Sequence, residues 1–264
     1  MTPTIRRDTD ARGVARLTLA RASKHNALDT ALIAELAEAA RALAADPAVR
    51  LVVLAAEGPT FCAGGDLGWM RDQMEADGAA RAAQARAIAG MLGALDALPM
   101  PLLAAVQGPA YGGGVGLLAT CDLAVGVEGA AFALSETRLG LIPATIGPYV
   151  LARIGAPAAR RLMLPGRRFD AAEAQALGLL SRTVAPADLD AAIEEEIDAL
   201  LACAPGALRD TKRLIRILSG GIPPEAVEAS IQALVARWET GEAQAGVRAF
   251  LARRVPPWRG GPDG

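Results

Sequence analysis

Residues 102–134 read LLAAVQGPAYGGGVGLLATCDLAVGVEGAAFAL, and the order of patterns in this stretch decides the fold class. Leu102–Val106 is a short unbroken apolar run, as expected of a strand buried on both faces. Gly108–Gly114 is a glycine-rich loop, and Val115–Thr120 has the composition of a short helix. Asp122–Val127 and Ala131–Leu134 read as two further short strands. Strand, loop, helix and strand in succession predict an α/β chain.

The same order recurs upstream. Leu51–Ala55 (LVVLA) is a second buried-strand run, followed by a glycine-containing turn, FCAGGDLGWM, and an alanine-rich helical stretch from about Ala79 to Leu98. Val14–Ala20 (VARLTLA) alternates like a half-buried strand. Asn26 or Asp29 can then cap a helix running to about Ala45, with Leu32, Ile33, Leu36 and Leu43 at helical spacing. From Gly147 onward the strand signals stop, and helical patterns fill the rest of the chain, punctuated by Pro205, Pro223 and Pro224. The expected organisation is an α/β body over 1–190 and an all-helical region over 191–264. Four amphipathic helices cannot bury themselves alone, so this region is expected to pack on the body or on another subunit.

Composition excludes several functions. The 264 residues are 52% hydrophobic and 21% charged, enough apolar material for a sizeable core. Lys and Arg (27) nearly balance Asp and Glu (29), and aromatics make up only 3%. A surface so balanced neither attracts phosphate backbones or anionic lipid nor offers base-stacking platforms, so no nucleic-acid or membrane partner is expected. One His and three Cys without C-x-x-C spacing exclude a His-based metal cage and argue against a disulfide scaffold. The polar start and the lack of a long apolar run predict a cytoplasmic protein.

The usual nucleophile motifs are missing. There is no G-x-S-x-G elbow and no P-loop. Gly114-Val115-Gly116-Leu117-Leu118-Ala119 matches a dinucleotide-binding pattern, but seven residues separate its first glycine from the buried strand that should run straight into it. Two glycine loops remain, Phe61–Leu67 and Gly108–Gly116, each between a buried strand and a helical stretch. If each supplied one N–H to a single oxygen, the pair would form an oxyanion hole; the alternative is two tight turns. Three carboxylates lie in apolar contexts. Asp66 and Asp122 can be cap or loop residues. Glu136, at the end of a strand-like run, should have a raised pKa suited to acid/base work, unless it pairs with Arg138.

Together these segments resemble the crotonase (enoyl-CoA hydratase/isomerase) superfamily. RASKHNALD is similar to its CoA-contacting segment, FCAGGDL to its first oxyanion loop, GPAYGGGVGLLATCDLAV to its second, FALSETRLGLIPATIG to its acidic segment, and AFLARRVPPW to its C-terminal segment. The resemblance implies a spiral of ββα units with a helical C-terminal trimerisation region. It also implies a homotrimer or hexamer, an acyl-CoA thioester substrate, and no metal or redox cofactor. Carried over, the oxyanion N–H groups belong to Gly65 and Gly113, and the acid/base to Glu136. Lys24, Ala27, Ala63, Asp66 and Leu67 match the CoA channel. Phe250 and Arg253 match positions that can contact the CoA of a neighbouring subunit.

One departure stands out. Family hydratases carry a first catalytic glutamate where this chain has Gly116. Three readings stay open: hydration with Glu136 as the only base, Δ3,Δ2-isomerisation by Glu136 alone, or another thioester reaction. An acyl-CoA binder without turnover is a fourth. The pairing of GPAYGGGVGL with SETRLGLIPATIGPYV is most similar to bacterial hydratases of 3-methylglutaconyl-CoA, in leucine breakdown, and of isohexenylglutaconyl-CoA. On that reading Trp69 and Met70, with Met74, line the acyl pocket, and Arg138 pairs with the substrate's free carboxylate.

Overall fold

The computed structural model describes residues 3–259. Its main sheet has six strands in the order β1 (Ile5–Thr9), β2 (Val14–Leu19), β3 (Leu51–Ala56), β4 (Leu102–Val106), β6 (Leu123–Val127) and β9 (Arg182–Val184). Only the β1–β2 pair is antiparallel. Strands β3, β4 and β6 are almost entirely buried, which explains their unbroken apolar composition, whereas β2 alternates buried residues with the half-buried Arg16 and Thr18.

A second layer runs across the ends of these strands. It contains β5 (Ala110–Tyr111) parallel to β7 (Ala131–Ala133), which is antiparallel to β8 (Arg168–Asp170). Single bridges extend it, Cys62 to Ala110 and Leu28 to Gly65. Strands β2, β3, β4 and β6 are thus each followed by a short extended piece in the second layer and then by a helix. The helices are α1 (Thr30–Ala45), then α2 (Leu67–Glu75) with α3 (Gly78–Asp96), then α4 (Gly113–Ala119), then α5 (Gly147–Met163). This is the spiral of ββα turns that the family resemblance implies. Parallel pairing obliges the chain to cross over between main strands, and each crossover carries a loop to the same edge.

The expected boundaries hold closely for α1, which Asp29 caps by accepting from Leu32 N–H at 2.8 Å. Three differences have physical reasons. Strands β8 and β9 lie in the stretch read as purely helical, and at three residues each they are too short to show a period. Strand β1 was missed because four of its five residues are exposed on a hairpin edge. The segment after Gly65 was read as a turn, yet Asp66 caps α2 there, accepting from Gly68 N–H at 2.7 Å.

Helices α6 (Ala171–Ala176), α7 (Leu189–Leu201), α8 (Pro205–Leu218), α9 (Pro224–Trp238) and α10 (Gly241–Leu251) complete the chain. The boundary drawn after residue 190 falls inside α7, which packs on β4 and β6. Helix α9 lies against α3 through Ile231, Ala85 and Ala89, and α10 lies against α2. On α8 the side chains of Leu214, Ile215, Ile217 and Leu218 stay exposed. Residues 260–264 of the expected helical region lie outside the described residues. No helix among the described residues is long and apolar enough to cross a membrane.

Candidate active site

The three segments singled out from sequence meet where the second layer crosses the strand ends. The first loop is held by RASKHNALD. Arg21 pairs with Asp29 at 2.8 Å and with Asp66 at 3.3 Å, tying the caps of α1 and α2 together. Asn26 is fully buried and spans the same gap, its amide donating to the carbonyls of Glu57 and Thr60 at 2.8 Å. Both His25 and Asn26 adopt left-handed backbone (φ 51° and 52°), a conformation more accessible to Asn than to most residues.

This clamp orients Gly65. Leu28 N–H donates to Gly64 C=O at 2.7 Å, and Asp66 N–H donates to Leu28 C=O at 2.9 Å. Those two groups face Leu28, so strand alternation turns the intervening Gly65 N–H to the other side. Gly113 is the first residue of α4, and a helix start leaves its N–H without an intrahelical acceptor. The two loops are stitched by Tyr111 N–H to Cys62 C=O at 2.9 Å and Phe61 N–H to Pro109 C=O at 3.0 Å. Gly65 and Gly113 line one cavity of about 190 Å³.

Glu136 lines that cavity too. It opens a 3-10 turn, Glu136–Leu139, three residues beyond the end of β7. The tail fixes this turn: Arg237 Nε donates to Gly140 C=O at 2.6 Å, and a Cβ on Gly140 would lie 2.5 Å from the backbone oxygen of Glu242. Oε1 lies 2.9 Å from where a Cβ on Gly112 would be, so the carboxyl rests against the second loop. Oε2 is buried with no hydrogen-bond partner. Burial pushes the carboxyl up to about 7. The ion pair with Arg138 weighed from sequence is not formed; Arg138 is exposed and its Nε donates to Pro165 C=O at 3.0 Å.

The expected residues divide as follows. Ala63, Gly65, Trp69, Met70, Gly113, Glu136 and Phe250 line the cavity. Asp66 is a cap beside it, and Lys24, Ala27 and Leu67 belong to the segments that frame its first loop. Lys24 and Leu67 are exposed, whereas Ala27 is buried. Arg253 is exposed beyond the end of α10. Arg138 lies outside, in a shallow surface pocket with Thr137, Leu164, Pro165, Trp258 and Arg259. Met74 packs partly buried beside Met70. Sequence reading missed Leu28, Thr145, Ile146, Leu234 and Trp238, which also line the cavity. Nothing local marks them, since they reach it from three segments far apart in the chain.

The glycines of the decoy pattern serve packing. A Cβ on Gly114 would lie 2.5 Å from Cys62 C=O, and one on Gly116 would lie 2.4 Å from Ile146 Cγ2 and 2.9 Å from its Cβ. Ile146 therefore fills the space where a side chain at 116 would begin. Gly116→Glu is expected to destabilise the protein by about 1–3 kcal/mol through overpacking. It is also expected to bring no gain in hydration rate; urea unfolding and enoyl-thioester absorbance measure the two effects.

A cavity of this kind, with two unpaired backbone donors, one buried carboxyl and no cationic side chain among its described lining residues, can stabilise an enolate and move one proton. Comparison with known proteins places it in context. The family profile described as enoyl-CoA hydratase/isomerase matches residues 9–261. The mevalonyl-coenzyme A hydratase sidH of Aspergillus fumigatus is 33% identical over 92% of this chain and 90% of its own length. The crystal structure of an enoyl-CoA hydratase from Mycobacterium avium superposes with a TM-score of 0.86 at 34% identity, covering 98% of this chain and 100% of that one. One from Shewanella pealeana has a TM-score of 0.79 at 38% identity, covering 97% and 96%. The spiral, the paired glycine loops and these matches over nearly the whole length make this chain a member of the enoyl-CoA hydratase/isomerase family, with the crotonase fold.

Proposed function

We propose that this enzyme adds water across the 2,3 double bond of an enoyl-CoA thioester, with Glu136 as the only acid/base. The observation that carries this reading is the Glu136 carboxyl, buried and unpartnered in the cavity that Gly65 and Gly113 line. Water attacks C3, and its proton passes to Glu136. The π electrons of C2=C3 move onto the thioester oxygen, held between the two N–H groups. Glu136 then returns the proton to C2 and the carbonyl re-forms. Each oxyanion donor is worth about 3–4 kcal/mol in the transition state.

The cavity wall is apolar apart from a few hydroxyl, indole and backbone groups, which suits a short or branched hydrocarbon acyl portion. A branched glutaconyl ester, the substrate to which the sequence resemblance points, would have to keep its terminal carboxylate at the mouth, because Arg138 faces away. The exposed apolar face of α8 suits a second copy of the chain in a trimer or hexamer, and sedimentation distinguishes the two.

The test is to follow the absorbance of the conjugated enoyl thioester with crotonyl-CoA and 3-methylglutaconyl-CoA. Loss of absorbance with either ester is the expected result, and the faster ester identifies the acyl class. A 3-enoyl ester gaining absorbance while neither 2-enoyl ester loses it would make the protein an isomerase. Binding without any change would make it an acyl-CoA binder.

A further inference from the structure

Thr145 is the other buried polar side chain of this cavity. It is only 6% exposed and lines the cavity along with Glu136, and it precedes Ile146, which fills the space over Gly116. A buried hydroxyl ordinarily has a protein partner. The nearest use would be to cap α5, and that helix begins with no side-chain cap. No other group among the described residues takes its hydrogen bond. The apolar cavity thus holds Glu136 Oε2, buried with no hydrogen-bond partner, together with the Thr145 hydroxyl, and its described lining residues include no second carboxylate.

We infer that Thr145 holds the attacking water together with Glu136, taking the place of a second carboxylate as the water's other acceptor. The inference rests on the hydratase reading above. One O–H of the water donates to Glu136 Oε2 and the other to Thr145 Oγ1, which aims an oxygen lone pair at C3. As the new C3–O bond forms, the proton facing Glu136 is the one transferred. The proton facing Thr145 stays on oxygen and becomes that of the product's 3-hydroxyl. Thr145 neither gains nor loses a proton in the reaction, and its own O–H is free to rotate.

Removing the hydroxyl should therefore cost water attack and spare the chemistry that needs no water. Thr145→Val keeps the side-chain shape, and Thr145→Ser keeps the hydroxyl. In the Val variant, kcat for hydration of the better enoyl ester is expected to fall by about 10- to 100-fold with KM nearly unchanged. Exchange of the C2 protons of butyryl-CoA in deuterated buffer, which needs only Glu136 and the oxyanion donors, should stay close to wild type. The Ser variant should recover most of the hydration rate.

Hydration by the Val variant at the wild-type rate would overturn the inference. A parallel fall of hydration and exchange would overturn it too, because it would mean that Glu136 or the loops had moved. A wild-type protein that exchanges butyryl-CoA protons but hydrates neither enoyl ester would instead overturn the hydratase reading, and the role of Thr145 with it.

Discussion

Glu136→Gln is expected to lower turnover by about 100- to 10,000-fold while leaving acyl-CoA binding in place, because in the proposed mechanism Glu136, the only carboxyl among the described lining residues of the cavity, both takes and returns the proton. The same substitution should make the protein more stable at neutral and alkaline pH. Burial lifts the Glu136 carboxyl from 4.5 to about 7, which corresponds to about 3 kcal/mol against the charged form in the folded state. Below pH 4.5 the carboxyl is protonated in both folded and unfolded chains, and folding bears no penalty. Between pH 4.5 and about 7 the unfolded chain releases its proton first, so wild-type stability falls as pH rises. Glutamine has no proton to release. The stability difference between variant and wild type should therefore grow through this window and level off above pH 7, at up to about 3 kcal/mol.

Urea unfolding of both proteins at pH 5 and pH 8 measures the effect. A difference that does not change with pH would mean that Glu136 is solvated rather than buried. The kinetics should show the matching profile. Hydration and dehydration both begin with Glu136 as carboxylate, so kcat/KM is expected to rise with pH and reach a plateau above about 7.

Gly114→Ala is the second substitution with a large expected effect, and it touches no catalytic group. The added methyl would start 2.5 Å from Cys62 C=O and 2.9 Å from Cys62 Cβ, so backbone must shift. Those atoms belong to the loop that ends in Gly65, and Gly114 follows Gly113 directly. The methyl would act as a wedge between Gly65 and Gly113, the proposed oxyanion donors, strained against the hydrogen bonds that join Tyr111 to Cys62 and Phe61 to Pro109. Turnover should fall by about 100-fold or more, since misplacing one donor loses much of its contribution. Stability should fall by about 1–3 kcal/mol. Gly90→Ala is the control: it lies in α3 with no atom within 4 Å of the added Cβ, and should stabilise the protein by about 0.5–1 kcal/mol at unchanged activity. If Gly114→Ala kept full activity, the oxyanion role of the two loops would be wrong.

The C-terminal helices take part in the site itself. Met70 and Leu141 pack with Trp238, Ala243 and Val247, so α9 and α10 close the cavity and brace the turn that carries Glu136. Arg81, buried in α3, adds a link by donating to Gln73 C=O at 2.9 Å and pairing with Glu239 at 2.5 Å. An active site built against its own tail couples local stability there to catalysis.

The amino-acid sequence by itself determined the elements whose signals are local. Runs such as LVVLA and LLAAV declare buried strands because a strand covered on both faces must be apolar throughout. Asp29 marks a helix start because a carboxylate satisfies the free N–H groups there, whereas at Asp66 a cap and a loop residue look alike in sequence. The glycines of FCAGGD and YGGGVG announced a close approach, and Glu136 was legible as the one carboxylate ending an apolar strand. The tertiary structure decided what depends on residues far apart in the chain. That Arg138 faces away from the cavity, that Ile146 fills the space above Gly116, and that Thr145 is buried in the cavity lining all follow from how one turn of the spiral lies on the next. Pairings between segments ten to a hundred residues apart leave no periodic trace in a sequence. Each partner keeps only the composition that its own backbone requires.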